Sequence, residues 1–141
     1  MAARSTATVT QLVADSSVAS TGVLGGTAST AGHFIPRGSA PAQKLVIRVI
    51  GTGSAGTAIV RATGNGNDTT GAAQTSPYPA SAVFTQGSVG DLACSFASGS
   101  TITIGPLTAD RFTQKDGNVY LDWGGTTSAT FDVYVLPFIA I

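Results

Sequence analysis

The sequence predicts an all-β, single-domain fold: an antiparallel β-sandwich or jelly-roll-like barrel of about eight short strands, with an extended N-terminal arm. Three observations carry this. Val, Ile and Thr make up 40 of the 141 residues, and β-branched side chains fit a pleated, half-buried surface while losing rotamer freedom in a helix. Glu is absent and Lys occurs only at Lys44 and Lys115, so two good helix formers are nearly missing. Eighteen glycines, with many Ser and Thr, break the chain into short pieces, as a strand-and-turn protein requires.

The elements follow in order. Residues 1–43 form one region, an N-terminal strand and arm, and residues 44–141 form the sandwich core with an apolar C-terminal tail. Thr6–Val13 has strand propensity, Asp15-Ser16-Ser17 reads as a turn, and Val18–Ile35 is broken by glycines and shows no helical period. Pro36 and Pro41 bracket a linker. Lys44–Ile50 is the clearest strand, with Leu45, Ile47 and Val49 on one face; Thr57–Thr63 is the next, and the two read as a hairpin joined by small residues. Residues 64–81 form a long polar loop, a length that is usually functional or mobile. Ala82–Gln86, Asp91–Phe96 and Thr101–Ile104 are short strands, the last with Ile102 and Ile104 inward. Arg111–Lys115 and Asn118–Trp123 flank Asp116-Gly117, a strong hairpin-turn signal, with both turn residues expected at positive φ. Val119, Leu121 and Trp123 should face the core, as should Phe131, Val133 and Val135 of Thr130–Leu136.

Charge excludes some functions. Only 10% of the chain is charged, against ~25% in ordinary domains, and the net charge is zero. Nucleic-acid binding, driven by neutralising phosphates, is not expected. A surface with so little charge suits a protein covered by copies of itself or by a partner. The N-terminal stretch has no apolar core of signal-peptide type and no apolar run is long enough to span a membrane. Synthesis in the cytoplasm, with no membrane partner, is the expectation. The single cysteine, Cys94, provides no internal disulfide.

No motif carries chemistry well. Gly51 to Gly56 reads GTGSAG and follows a strand, but a dinucleotide site needs a helix next and an acidic residue about 20 positions on. TAIVRAT follows instead, and TSPYP stands where the carboxylate should be. His33 is the only histidine, and no serine lies in a GxSxG elbow. His33 and Cys94 are too few for zinc. Asn65, Asn67 and Asp68 hint at calcium, yet one carboxylate in a glycine-rich loop makes a weak site. Asn67-Asp68-Thr69 is formally a glycosylation sequon, expected to be unused. Asp110 and Asp116 lie in turn contexts; Asp122 and Asp132 alternate with apolar residues and read as solvated or edge-protecting charges. Trp123, Tyr120, Tyr134 and Tyr78 offer a sugar-binding platform, or a core tryptophan with rim tyrosines. No catalytic, cofactor or metal residue is assigned, and the chain is not expected to be an enzyme. Apolar stretches do stand out: Phe34 and Ile35 in the arm, and Phe138, Ile139 and Ile141 in the tail. Each docks within the chain or forms an assembly contact.

Several stretches resemble the capsid decoration (head cement) proteins of tailed bacteriophages, a family of virion structural proteins. The strand Leu45–Val49, the element Gly90-Asp91-Leu92 and the closing Leu136-Pro137 are similar. Above all, the block Ile104 to Asp122 is similar, through Gly105, Pro106, Arg111, Phe112, Gln114, Asp116 and Gly117. The likeness covers residues 45–137, departs in the loop 64–81 and past Pro137, and is loose over 1–43. It implies a β-sandwich that binds the outer surface of an assembled phage head, with the major capsid protein as partner. It also implies a homo-oligomer, a trimer being favoured, located on the virion, and it brings no active site. The alternatives are a head–tail or tail component, or a carbohydrate-binding module displayed on the virion.

Overall fold

The computed structural model describes residues 3–19, 22–36, 38, 41–74, 90–107 and 109–137. The fold is a β-sandwich. Its strands are β1 (Ser5–Thr6), β2 (Val9–Gln11), β3 (Gly26–Thr27), β4 (His33–Ile35), β5 (Leu45–Gly51), β6 (Gly56–Val60), β7 (Leu92–Phe96), β8 (Thr101–Ile104), β9 (Val119–Gly124) and β10 (Ala129–Val135). One sheet, A, runs β1-β4-β9-β6-β7; the other, B, runs β2-β10-β5-β8, with β3 also paired to β10. The expected strand at Ala82–Gln86 lies outside the described residues.

Alternation builds the core. In β5 and β10 the odd-numbered side chains, Leu45, Ile47, Val49, Phe131, Val133 and Val135, all point inward and are buried. From the facing sheet come Ile35, Ala58, Val60, Val119 and Leu121. Burying each larger side chain contributes roughly 1.5–3 kcal/mol, so these two layers hold the sandwich together. β5 lies between β10 and β8, with Ile47 opposite Val133 and Ile104.

Three expectations need correction. First, β5 and β6 do not form a hairpin. β5 belongs to sheet B and β6 to sheet A, so residues 52–55 turn a corner from one sheet to the other. Short loops permit either course, and here β5 is already flanked by β10 and β8. Second, Arg111–Lys115 is not a strand. Ala109–Phe112 forms one helical turn, followed by a tight turn in which Gln114 N–H donates to Asn118 C=O and Gly117 N–H to Gln114 C=O, both at 2.8 Å. Gly117 has φ +88°, but Asp116 does not have positive φ. This is a type I turn followed by a left-handed glycine. Third, the sheets are mixed. β1 pairs with β4, and β2 with β10, in parallel.

The described residues before position 43 are tied into both sheets. β1 sits at the edge of sheet A and β2 at the edge of sheet B, with the buried Ala7 between them. β2 covers Val133–Val135 of β10, while β3 covers Thr130–Phe131 of the same strand. Leu12 N–H donates to Val135 C=O and Gly25 N–H to Phe131 C=O, extending the two pairings, and between them lies a turn at Asp15 where Ser16 N–H donates to Val13 C=O.

The GTGSAG stretch has a steric explanation. A Cβ on Gly51 would press into the backbone carbonyl of Ala97, which cannot give way, whereas one on Gly53 would meet only Ser128 Oγ at 3.3 Å. Gly51→Ala is expected to lower stability by about 1–3 kcal/mol, with Gly53→Ala nearly neutral, as read from urea midpoints.

Candidate functional site

The outer face of sheet A carries a buried polar layer that the sequence did not disclose. Asp122 of β9 sits between two arginines. Both its carboxylate oxygens accept from the Arg4 guanidinium, and Oδ2 also accepts from Arg61 Nε at 2.6 Å. Arg61 reaches on through Nη1 to Asp91 Oδ2 at 2.8 Å. The Arg4 side chain is only 1% exposed; its Nε donates to Asn67 C=O and its Cζ lies 4.4 Å from the centroid of the Tyr120 ring. Burial would weaken the Arg61 cation, but its bonds to Asp122 and Asp91 outweigh this and raise its pKa. The reading of Asp122 as a solvated charge is therefore wrong. So is that of Asp132, which is 0% exposed and accepts from Leu24 N–H and the Tyr134 hydroxyl.

The stretch 61–74 roofs this layer. Gly64 N–H donates to Gln114 Oε1, and the Gln114 amide donates to the carbonyls of Arg61 and Ala62. Asp91 accepts from Ala62 N–H and Asn65 Nδ2. Arg111 holds the carbonyls of Gly90 and Asp91. Asp68, a calcium candidate, accepts from the hydroxyl and backbone of Thr70 and from Ala72 N–H. The Thr70 hydroxyl is the first cause of its lowered pKa. Among the described residues no group of three or more His, Cys, Asp or Glu could hold a metal ion.

The aromatic platform does not form. Tyr120 is buried on the outer face, its hydroxyl bonded to Asp116, and burial followed by that bond raises its pKa. Tyr134 belongs to sheet B. Trp123 packs edge-on to His33 and Phe96 and lies 5.7 Å from Phe131, inside the sandwich. Tyr78 lies outside the described residues. Cys94 is partly buried against the core, which raises its thiol pKa.

His33 is buried at 3% exposure, and its ring meets Phe131 at 4.7 Å. Burial is the main cause of its lowered pKa, which Asp122 and the Thr27 backbone oppose. A folded pKa below the unfolded one means that the unfolded chain binds more protons, so stability rises with pH. The His33 contribution is complete above the unfolded value near 6.5 and is lost as pH falls below it. His33→Phe is expected to flatten this acid limb in denaturation midpoints taken from mildly acidic to neutral pH.

The apolar assembly candidates divide. Ile35 is buried in the chain's own core and Phe34 is half-buried between β1 and β9, so Ile35 is not an assembly residue. Phe138, Ile139 and Ile141 lie outside the described residues. Among the described residues the large exposed apolar side chains lie between β2 and β3: Val13 at 63%, Val23 at 50%, and Val18. The sequence could have signalled them, since three valines in a glycine- and serine-rich stretch have no alternating partners to bury them. Among the described residues no helix is long and apolar enough to cross a membrane.

Beside the arginines a cavity of about 360 Å³ opens on the outer face of sheet A, bordered by Arg4, Thr30, Arg61, Asn67, Asp122 and Trp123. Comparison with protein-family models, with curated proteins and with solved structures finds no match to this chain.

Proposed function

We propose that this chain is a virion structural protein that decorates the outer surface of an assembled phage head and stabilises it. One observation supports this above others. Four polar side chains of the block resembling decoration proteins are committed to holding the fold. Arg111 clamps Gly90 and Asp91, Gln114 secures 61–64, Asp116 caps its own turn and Asp122 joins Arg4 to Arg61. A block spent on architecture is what a building unit needs. It leaves function to surfaces, and the valines at 13, 18 and 23 offer an apolar one.

The physical role follows from linkage. A protein that binds only the closed shell stabilises that state by mass action, and many modest identical contacts add through multivalency. Near-zero net charge imposes little repulsion between neighbouring copies. Cryo-electron microscopy of the particle made by the phage that encodes this chain tests the reading. Density for the sandwich over the whole outer shell, in stoichiometry with the major capsid protein, is the expected result. A single ring of copies at the portal or tail would overturn it in favour of a head–tail component, and absence from the particle would overturn both.

A further inference from the structure

His33 is the only histidine and its ring sits in an apolar pocket of the chain's own making. Phe131 and Trp123 meet it at 4.7 and 6.2 Å between ring centroids. β3 lies against it, the Cβ position of Gly26 falling 3.9 Å from His33 Cε1. Among the described residues neither ring nitrogen has a hydrogen-bond partner. A neutral imidazole is tolerated in such a place; an imidazolium, with two N–H donors and no acceptor, is not. We propose that His33 is an acid-sensitive latch, whose protonation frees β1, β3 and β4 from the sandwich while the long strands stay folded.

The surrounding charges do not rescue the protonated ring. Burial, the largest influence, disfavours its charge, as does Arg4; Asp122 of β9 and the nearby Thr27 backbone favour it. The Asp122 carboxylate is already engaged by Arg4 and Arg61. β3 carries no charge, and Asp132 of β10 is bound by Leu24 N–H and the Tyr134 hydroxyl.

Opening is local because the ladders around His33 are short. β1 and β3 are two residues long and β4 three, against seven each for β5 and β10. β1 pairs with β4 alone, so the two leave together. Short ladders at a sheet margin open at lower free energy than the core. A ring that is neutral when closed and charged when open shifts that balance by up to about tenfold per pH unit below about 6.5. The open state bares the β9 edge at Val119–Leu121, where an extended strand can add. The latch does not depend on what the sandwich binds, so it stands apart from the capsid reading.

Amide exchange of the full chain, followed by NMR from about pH 7.5 to 5, tests this above the range where ordinary carboxylates titrate. The probes are Ser5, Ala7 and Ala28, whose N–H groups donate to the carbonyls of Gly32, Phe34 and Ala129. The references are Gly51 and Leu136, which donate to Ser100 and Lys44. Corrected for intrinsic exchange, probe protection is expected to fall by up to about tenfold per pH unit below about 6.5, and reference protection to change by less than about twofold. His33→Phe keeps an aromatic ring in place with no proton to take up, and should abolish the fall. Probes that keep their protection, references that fall in parallel, or an undiminished fall in His33→Phe would each overturn the proposal. Should that variant not fold, the wild-type imidazole decides. Its NMR signals are expected to titrate only as the probes open, and titration near pH 6.5 with the probes still protected would overturn the latch.

Discussion

Asp122→Ala is expected to cost about 3–5 kcal/mol of folding stability, as for other buried ion pairs broken from one side. The loss comes less from missing attraction than from what stays behind. Arg4 remains almost fully buried, with backbone carbonyls of Asn67 and His33 as acceptors but no counter-charge. Arg61 keeps Asp91 and is partly exposed, so its share is smaller. A urea denaturation series reads the effect as a lower midpoint. A double variant, Arg4→Met with Asp122→Leu, should recover much of the loss, because it removes both charges together. Were Asp122 the solvated surface charge that its sequence context suggests, its removal would stay within about 0.5 kcal/mol.

Phe131→Ala comes next, at about 3–5 kcal/mol, the range for removing a large buried aromatic side chain. Phe131 is fully buried at the meeting of the two sheets. Its ring touches His33 and Trp123, and a Cβ on Gly25 would fall 2.7 Å from it. The rigid backbone of two ladders surrounds it, from β5 on one side and β3 on the other, so the cavity cannot easily collapse. Equilibrium denaturation gives the magnitude. Trp123 emission should shift as well, since the tryptophan loses a packing neighbour.

What could be read beforehand depended on how local the cause was. β5 and β10 were legible because Leu45, Ile47, Val49 and Phe131, Val133, Val135 alternate without interruption. The turn at Asp116-Gly117 was legible from its own residues, but the strand before it was not. Phe112 and Gln114 are both buried two positions apart, which imitates strand alternation while the backbone leaves a helical turn. Pairing partners were the weakest point. Nothing in residues 44–63 says whether a small-residue loop reverses a strand within one sheet or carries it to the other. The polar layer was invisible for the same reason: Arg4 and Asp122 stand 118 residues apart, and an aspartate flanked by apolar residues is ordinarily exposed.

The parallel seating of β2 against β10 sets an order of events. Val9 to Gln11 pair with Val133 to Val135, a segment synthesised more than a hundred residues later. Sheet B therefore stays open along one side until β10 has been made, and its closing contact carries the full entropic cost of a loop of that length. During that interval the early strand is an unpaired ribbon competent to join any matching edge. A neighbouring chain's β10 offers the identical ladder, so contact energy does not distinguish closure within one molecule from exchange between two. The local concentration of chains decides between the two.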